Sequence, residues 1–434
     1  MLEKPVLMPE GKTSTNVRWR IVIWLCICAL INNIDRINLS IAAPAMMEEL
    51  NLSNAQIGLL GSAFAWFYAI SQLPSGWLID RFGAKKVLTL AIGWWSLATV
   101  FMGFAQGFVI LIILRALLGM GEAPSLPSTA KIVASWFPKK ERGLANASWD
   151  AALKVGPALF TTALIAIVSL WGWRWLFFIA GGLGLIFTLF FGLFYRSPEQ
   201  HRKLSKEEYE YIKSDSVELN TEKNVKISWR KLFMVRSMWG MMLGYFCNIW
   251  VYQIFLTFMP LYIMKIHNVQ FNKLGLYASI PWIGAMLGDI ISGLISKKLV
   301  DRGMGAIKAK KVVIISAALL QACVVAFLPF STNIIFTVTL MSFALAFNGA
   351  VVCHAWSLAS DLAPSEMVAS VTSVQNFGGF LGGAISPIVA GLLIDATDSY
   401  FLVFISAAVV GIVSAISYQF IVKRPIHHDI KTNV

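Results

Sequence analysis

Residues 174–196 read RWLFFIAGGLGLIFTLFFGLFYR, and residues 197–237 read SPEQHRKLSKEEYEYIKSDSVELNTEKNVKISWRKLFMVRS. The first stretch is a continuous apolar run of the length needed to cross a hydrocarbon slab about 30 Å thick, which takes about 20 residues of helix. The second is rich in Lys, Glu, Ser and Asn and has no place in lipid. Apolar runs of similar length recur on both sides of this junction. Before it they fall at 19–44, 55–79, 87–108, 109–133, 143–170 and 174–196. After it they fall at 238–264, 273–298, 311–330, 334–360, 369–394 and 398–422. A membrane β-barrel would show alternating segments of about 10 residues instead. The expected fold is therefore an all-α membrane protein of 12 transmembrane helices in two six-helix bundles. Residues 1–196 form the first bundle, 197–237 a cytoplasmic linker, and 238–434 the second bundle. Within the linker, Ser205 and Glu208 have the spacing of a capping box for a short helix through Tyr211.

Composition agrees with lipid as the solvent. The chain is 57% apolar and 14% charged, against roughly half and a quarter in soluble domains. A net charge of +13 raises nucleic-acid binding as a reading, but the basic residues sit in short loops beside the spans, as topology requires. No nucleic-acid partner is expected. Arg18 and Arg20, then Arg81, Lys85 and Lys86, then Lys139, Lys140 and Arg142, and finally Lys297 through Lys311 mark one side. The opposite loops carry Glu48, Glu49, Asp395 and Asp398. Both termini are expected to be cytoplasmic, with Trp171, Trp173 and Trp175 in an outer interfacial belt. Lys265 and Lys273 run against this asymmetry without reversing it. The five cysteines all fall inside apolar runs, so neither a disulfide framework nor a metal site is expected. No cleavable signal peptide is expected, because the first apolar run is as long as a span.

Charges inside spans are costly, by roughly 2.5–3.5 kcal/mol each on insertion scales, and so they are informative. The first half holds Asp35 and Arg36, Arg115 and Glu122, and Asp150 and Lys154 within its spans. Arg115 and Glu122 lie seven apart and share a helix face. Asp150 and Lys154 stand at i and i+4, close enough to pair. Asp35 and Arg36 are adjacent, point about 100° apart, and must engage different partners. Such groups lock helices together as fixed ion pairs, or they work. A fixed pair can be replaced by packed apolar residues at little cost, which favours use. With all six ionised the site is neutral; protonating Asp35 and Glu122 leaves two positive charges for an organic anion, with Arg36 its bidentate partner. Proton–anion symport follows as the expected function, with Asp35 and Glu122 carrying protons. Tyr68, Asn248, Gln253, His354, Trp356, Gln375 and Asn376 can line the site or make interhelical hydrogen bonds. Asp289 is the acid of a second-half span. No Walker A motif, paired CxxC or GxSxG elbow is present, so an enzyme is not expected, and no cofactor or metal is called for.

The motifs carry a resemblance. GWLIDRFGAKK at 76–86, with Asp80 and Arg81, and RALLGMGEA at 115–123 resemble the conserved signatures of the major facilitator superfamily. DRINLSIAAP (35–44), GSAFAWFYAISQLPSGWLIDRFG (61–83), GEAPSLPS (121–128) and SWFPKKERG (135–143) are similar to its anion–cation symporters, in particular the bacterial hexuronate, glucarate and galactonate branch. AWSLASDLAP (355–364) and SVQNFGGFLGG (373–383) echo that branch in the second half. The resemblance implies two bundles rocking about a central site in a multi-pass cell-membrane protein, here taken as a monomer from a bacterium. It implies that Asp35 and Glu122 carry protons and that Arg36, Tyr68, Trp356 and Asn376 contact the substrate. It also implies that Asp80 and Arg81 serve as a cytoplasmic latch. Arg115 and Asp150, as charges inside spans, are expected in coupling or gating. Two departures stand out. Asn33 replaces a frequent tyrosine, and Asp150, Leu153 and Lys154 stand where uncharged polar residues are usual. Lys154 in the cavity suits a dicarboxylate, an aromatic acid or a phosphorylated anion, unless Asp150 neutralises it and leaves a sugar acid as the substrate. Sodium coupling, exchange, and a non-transporting sensor remain as the other readings.

Overall fold

The computed structural model describes residues 15–213, 233–363 and 368–422; the side chains of Asp150 and Lys154 also lie outside the described residues. Among those residues there are helices and no strands. The first half runs α1 (Val17–Leu50), α2 (Asn54–Phe82), α3 (Ala84–Met102), α4 (Phe108–Glu122), α5 (Ser125–Trp136), α6 (Lys139–Trp171) and α7 (Trp173–Phe194). A short α8 (Lys206–Lys213) stands in the linker. The second half runs α9 (Arg236–His267), α10 (Leu274–Asp301), α11 (Ala306–Phe327), α12 (Ile334–Leu362), α13 (Val368–Thr397) and α14 (Phe401–Ile416).

Ten described helices are long and apolar enough to cross a membrane, and eleven if the bent α2 counts as one. The nineteen residues of α3 fall outside that count. Their first turn holds Lys85 and Lys86, yet at 1.5 Å per residue they reach about 28 Å. Prolines set the irregularities. Pro74 bends α2 by 53°, because proline removes a backbone donor and crowds the preceding turn. Pro124 divides the fourth expected span into α4 and α5, with the break directly after Glu122.

Three buried cores organise the helices. One, with Met46, Ile57, Phe255, Ile263, Leu274 and Ile394, draws residues from both halves. It lies at the far end, away from the linker. At the linker end each half has a core of its own, around Trp95, Trp136 and Phe191 in the first half and around Met241, Leu358 and Tyr418 in the second. The halves therefore meet at one end and part at the other. Their far-end seam is tight. A Cβ on Gly58 would stand 2.1 Å from the carbonyl oxygen of Pro387, so only glycine lets α2 lie against α13 here. Ser62 donates its hydroxyl to the Ala384 carbonyl, and the hydroxyls of Thr162 and Ser279 share a 2.8 Å bond. Asp395 at the end of α13 caps α2 of the other half, accepting from the backbone N–H of Asn54 at 3.1 Å and of Ala55 at 2.8 Å.

Two local expectations need correction. Glu208 donates its N–H to Ser205 Oγ at 3.2 Å, but its carboxylate does not return to Ser205. It crosses to α1, where it accepts from Val17 N at 3.1 Å, Arg18 N at 3.2 Å and Arg18 Nη1 at 3.0 Å. The start of α1 has no side-chain cap of its own, and a buried acid on the linker helix supplies one. Trp173 likewise does not belong to the exposed belt. It is buried, and its indole N–H donates to Glu49 at 2.6 Å, while Trp171 and Trp175 are exposed.

Candidate functional site

No disulfide joins the five cysteines, and no group of three His, Cys, Asp or Glu among the described residues is arranged to hold a metal. The chemistry lies between the halves. A cavity of about 280 Å³ sits there. Leu256 and Trp282 of the shared core line it, as do Tyr68 and Tyr245 of the two separate cores. It is made by α1, α2, α4, the start of α5 (Leu126) and α6 (Leu153, Pro157) on one side and by α9, α10, α12 and α13 on the other.

The first-half wall is charged. Arg36 projects from α1 into the cavity, and its Nε donates to Glu122 Oε2 at 3.0 Å. The acid is fully buried, whereas the Arg36 side chain is 26% exposed. The pair thus has one partner sealed in protein and the other facing the cavity. Arg36 also lies over the rings of Tyr68 and Phe64, at 5.1 and 5.5 Å from their centroids. Arg115 lines the same wall, donates to the Leu60 carbonyl at 3.3 Å, and lies 5.0 Å from the Phe64 centroid. A Cβ on Gly119 would stand 2.3 Å from the Phe64 carbonyl oxygen, so glycine at this turn brings α4 against α2. Asp35 points away from Arg36, is buried, and accepts from Thr99 of α3 at 3.0 Å. It does not line the cavity. The neighbouring charges of α1 therefore do engage different helices.

The second-half wall is polar and aromatic. Trp356 is 38% exposed and donates its indole N–H to the Tyr245 hydroxyl at 2.9 Å. Gln253, Asn348 and Asn376 also face the cavity, and Asn348 donates to the Asn248 carbonyl at 3.1 Å. Asp289 lines it from α10. Tyr68 reaches across to Phe380, with ring centroids 4.6 Å apart. His354 and Gln375 are buried and do not line the cavity; His354 Nδ1 lies 2.9 Å from the Ala350 carbonyl.

The structure thus brings together Arg36, Tyr68, Arg115, Trp356 and Asn376, with Glu122 one bond behind. Asp80 and Arg81 sit far from it at the linker end. Asp80 accepts from Lys131 of its own half at 2.6 Å, and Arg81 stacks on Trp77 and Phe82. No described ion pair joins the halves at that end. Asp150 and Lys154 belong to α6, with side chains outside the described residues. Sequence reasoning missed Phe64, Tyr245 and Tyr252. Phe64 and Tyr68 stand at i and i+4, and Tyr245 and Tyr252 at i and i+7, so each pair shares a helix face. That periodicity was the available signal.

Known proteins place this architecture. The model of the Major Facilitator Superfamily matches residues 25–387. A probable L-galactonate transporter of Escherichia coli K12 is 33% identical over 96% of this chain and 93% of its own length. The D-galactonate transporter of Escherichia coli O6:H1 is 34% identical over 93% of this chain and 95% of its own. A probable sulfoacetate transporter of Cupriavidus necator is 32% identical, covering 92% and 93%. Among solved structures, a bacterial homologue of the human lysosomal transporter Spinster, inward-facing and occupied, superposes with a TM-score of 0.77 at 20% identity, covering 96% of this chain and 99% of that one. A D-xylose–proton symporter superposes with a TM-score of 0.75 at 15% identity, covering 94% and 98%.

Proposed function

The chain belongs to the major facilitator superfamily and is a multi-pass transporter of the cell membrane, and on that premise we propose that it couples protons to the symport of a small organic anion, a sugar acid such as galactonate, glucarate or a hexuronate. The relatives named for galactonate, and for galactarate and glucarate at 33% identity, support the substrate class. Twelve spans, with α3 as the third, form bundles of residues 1–196 and 238–434, and both termini lie in the cytoplasm. The closed far end then faces outward, and the cavity faces inward.

The observation that carries the reading is the Arg36–Glu122 pair. When Glu122 is ionised it satisfies Arg36, and an arriving anion meets no net attraction. A proton on Glu122 releases the guanidinium, whose planar fork suits a carboxylate. Asp35, buried against Thr99, carries the second proton. Removing a charge from a buried pair is costly unless another takes its place, so proton and anion bind together and leave together. Asn376, Trp356 and Tyr68 contact the body of the substrate. Arg115 fixes the local field; Lys154 adds a cation to the anion's surroundings, with Asp150 balancing it. Asp80 and Arg81 form the latch of the opposite conformation.

The test is internal pH in weakly buffered proteoliposomes as galactonate, glucarate, glucuronate, dicarboxylates and aromatic acids are added outside in turn. Acidification by one anion, lost in Glu122→Gln while counterflow of that anion persists, is the expected result. Uptake that needs sodium and leaves pH unchanged would overturn the proton coupling.

A further inference from the structure

Two arginines of like charge share one aromatic ring in this site. Arg36 of α1 lies 5.5 Å and Arg115 of α4 5.0 Å from the centroid of Phe64. Phe64 is 7% exposed and lines the cavity. We propose that Phe64 is a positioning residue for anion binding, its π face holding the Arg36 and Arg115 guanidinium groups side by side at the cavity wall. This rests on the reading of Arg36 as the anion's partner.

The physical need is specific. Like charges repel more strongly where water is excluded, Arg36 is tied to its acid through one nitrogen, and the described bond of Arg115 is a single long one to a carbonyl. Arg36 is held through Nε by Glu122 at 3.0 Å, and Arg115 through Nε by the Leu60 carbonyl at 3.3 Å. A guanidinium over an aromatic face gains attraction from the ring quadrupole, and more so when desolvated. The ring can serve both cations only if its backbone is fixed against α4. Gly119 provides that fixation, since any Cβ there would strike the Phe64 carbonyl. Leu60 stands one turn before Phe64 on α2, so the same short segment holds Arg115 by a carbonyl and by a ring. An aliphatic residue at position 64 could fill the space but would present no negative face. The guanidinium of Arg36 would then swing toward Glu122, and its terminal nitrogens would leave the cavity.

The experiment replaces Phe64 in the full-length protein with phenylalanines bearing one, two and three ring fluorines, which drain the π face stepwise at nearly constant size. Binding and counterflow are measured with whichever of galactonate, glucarate and glucuronate the parent binds. The half-saturation constant is expected to rise with each fluorine, to about tenfold at three, while the maximal counterflow rate stays within about twofold. A packing role would not follow the fluorine count, so an unchanged constant across the series, or the same loss with one fluorine as with three, overturns the proposal. Phe64→Leu is the coarse version, and the fluorinated series stands in its place should that variant misfold. Failure of the parent to bind any organic anion would overturn the anion reading and this inference together; binding without a graded response overturns only the role of Phe64.

Discussion

The two halves share an architecture and divide the chemistry. In the first half, Asp35, Arg115 and Glu122 are buried charges, and Arg36 carries charge to the cavity surface. In the second, the cavity wall is built from Tyr245, Asn348, Trp356 and Asn376, with Asp289 the acid among its described residues. The difference teaches where energy enters the cycle. A proton or an anion changes electrostatics by several kcal/mol when it meets a buried charge. A neutral hydrogen bond contributes about 1 kcal/mol net. Under the proposed symport, the first half is therefore the one suited to coupling, and the second to recognising the shape and polar groups of the cargo.

The largest effect should come from breaking the charged wall. Arg36→Ala removes the cation that faces the cavity and strands Glu122 in the interior. Loss of one member of a buried charge pair costs about 2–5 kcal/mol, so anion binding is expected to fall by at least roughly thirtyfold. Thermal-shift titration with the identified anion reads this directly. The double variant Arg36→Ala with Glu122→Gln should recover thermal stability, because the stranded charge is gone, but not binding. Recovery of binding would mean that Arg36 is a structural lock and not the anion's partner.

Trp356→Phe probes the opposite wall and should do less. It keeps an aromatic ring but loses the indole N–H that donates to Tyr245 at 2.9 Å. The expected change is a rise of about fivefold in the half-saturation constant, on the order of 1 kcal/mol. The ratio of protons to anions, measured by internal pH against counted substrate, should not move. A changed ratio would break the division between the halves, since it would put coupling in the neutral wall.

The same division marks how far the sequence could be read. Each expected apolar run overlaps a helix, the fourth run two of them, because lipid penalises any unsatisfied backbone group and leaves few alternatives. The buried charges were legible for the same reason: at such cost they stand out from their surroundings. Direction was legible too, since helical geometry separates Asp35 from Arg36. Their partners were not, because Thr99 and Glu122 come from other helices at sequence distances of 64 and 86. Phe64 escaped notice because an aromatic residue in a span reads equally as lipid-facing, packed or functional. Gly58 became meaningful only once α13 lay against it. The capping spacing of Ser205 and Glu208 was read as local, and half of it went elsewhere, because tertiary donors on α1 outnumber the one local donor.

Glu208 supplies the test with the smallest expected effect on the cargo, none at all, and it sharpens the comparison at the linker. The acid ties α8 to the first half through Thr15 Oγ1 at 2.5 Å and through Val17 and Arg18, and Arg18 in turn pairs with Glu141 at 3.0 Å. Burial acts to raise the Glu208 carboxyl, but the hydrogen bonds from Thr15, Arg18 and Val17 outweigh it and leave the group below its usual value of 4.5. A carboxyl depressed in the folded state adds stability above its unfolded value, and that stability drains away as pH falls through the folded value. Glu208→Gln should therefore lower the unfolding midpoint at neutral pH by an amount equivalent to about 2 kcal/mol, the worth of hydrogen bonds to a charged group. The gap between parent and variant should stay constant from pH 7 to about 5 and close below 4.5. Anion binding at the distant cavity should be unaffected, because Glu208 anchors the linker to one half and touches neither wall. A gap that instead widened in acid would show that burial prevails over the four donors, and that the linker helix is held to α1 by packing and not by charge.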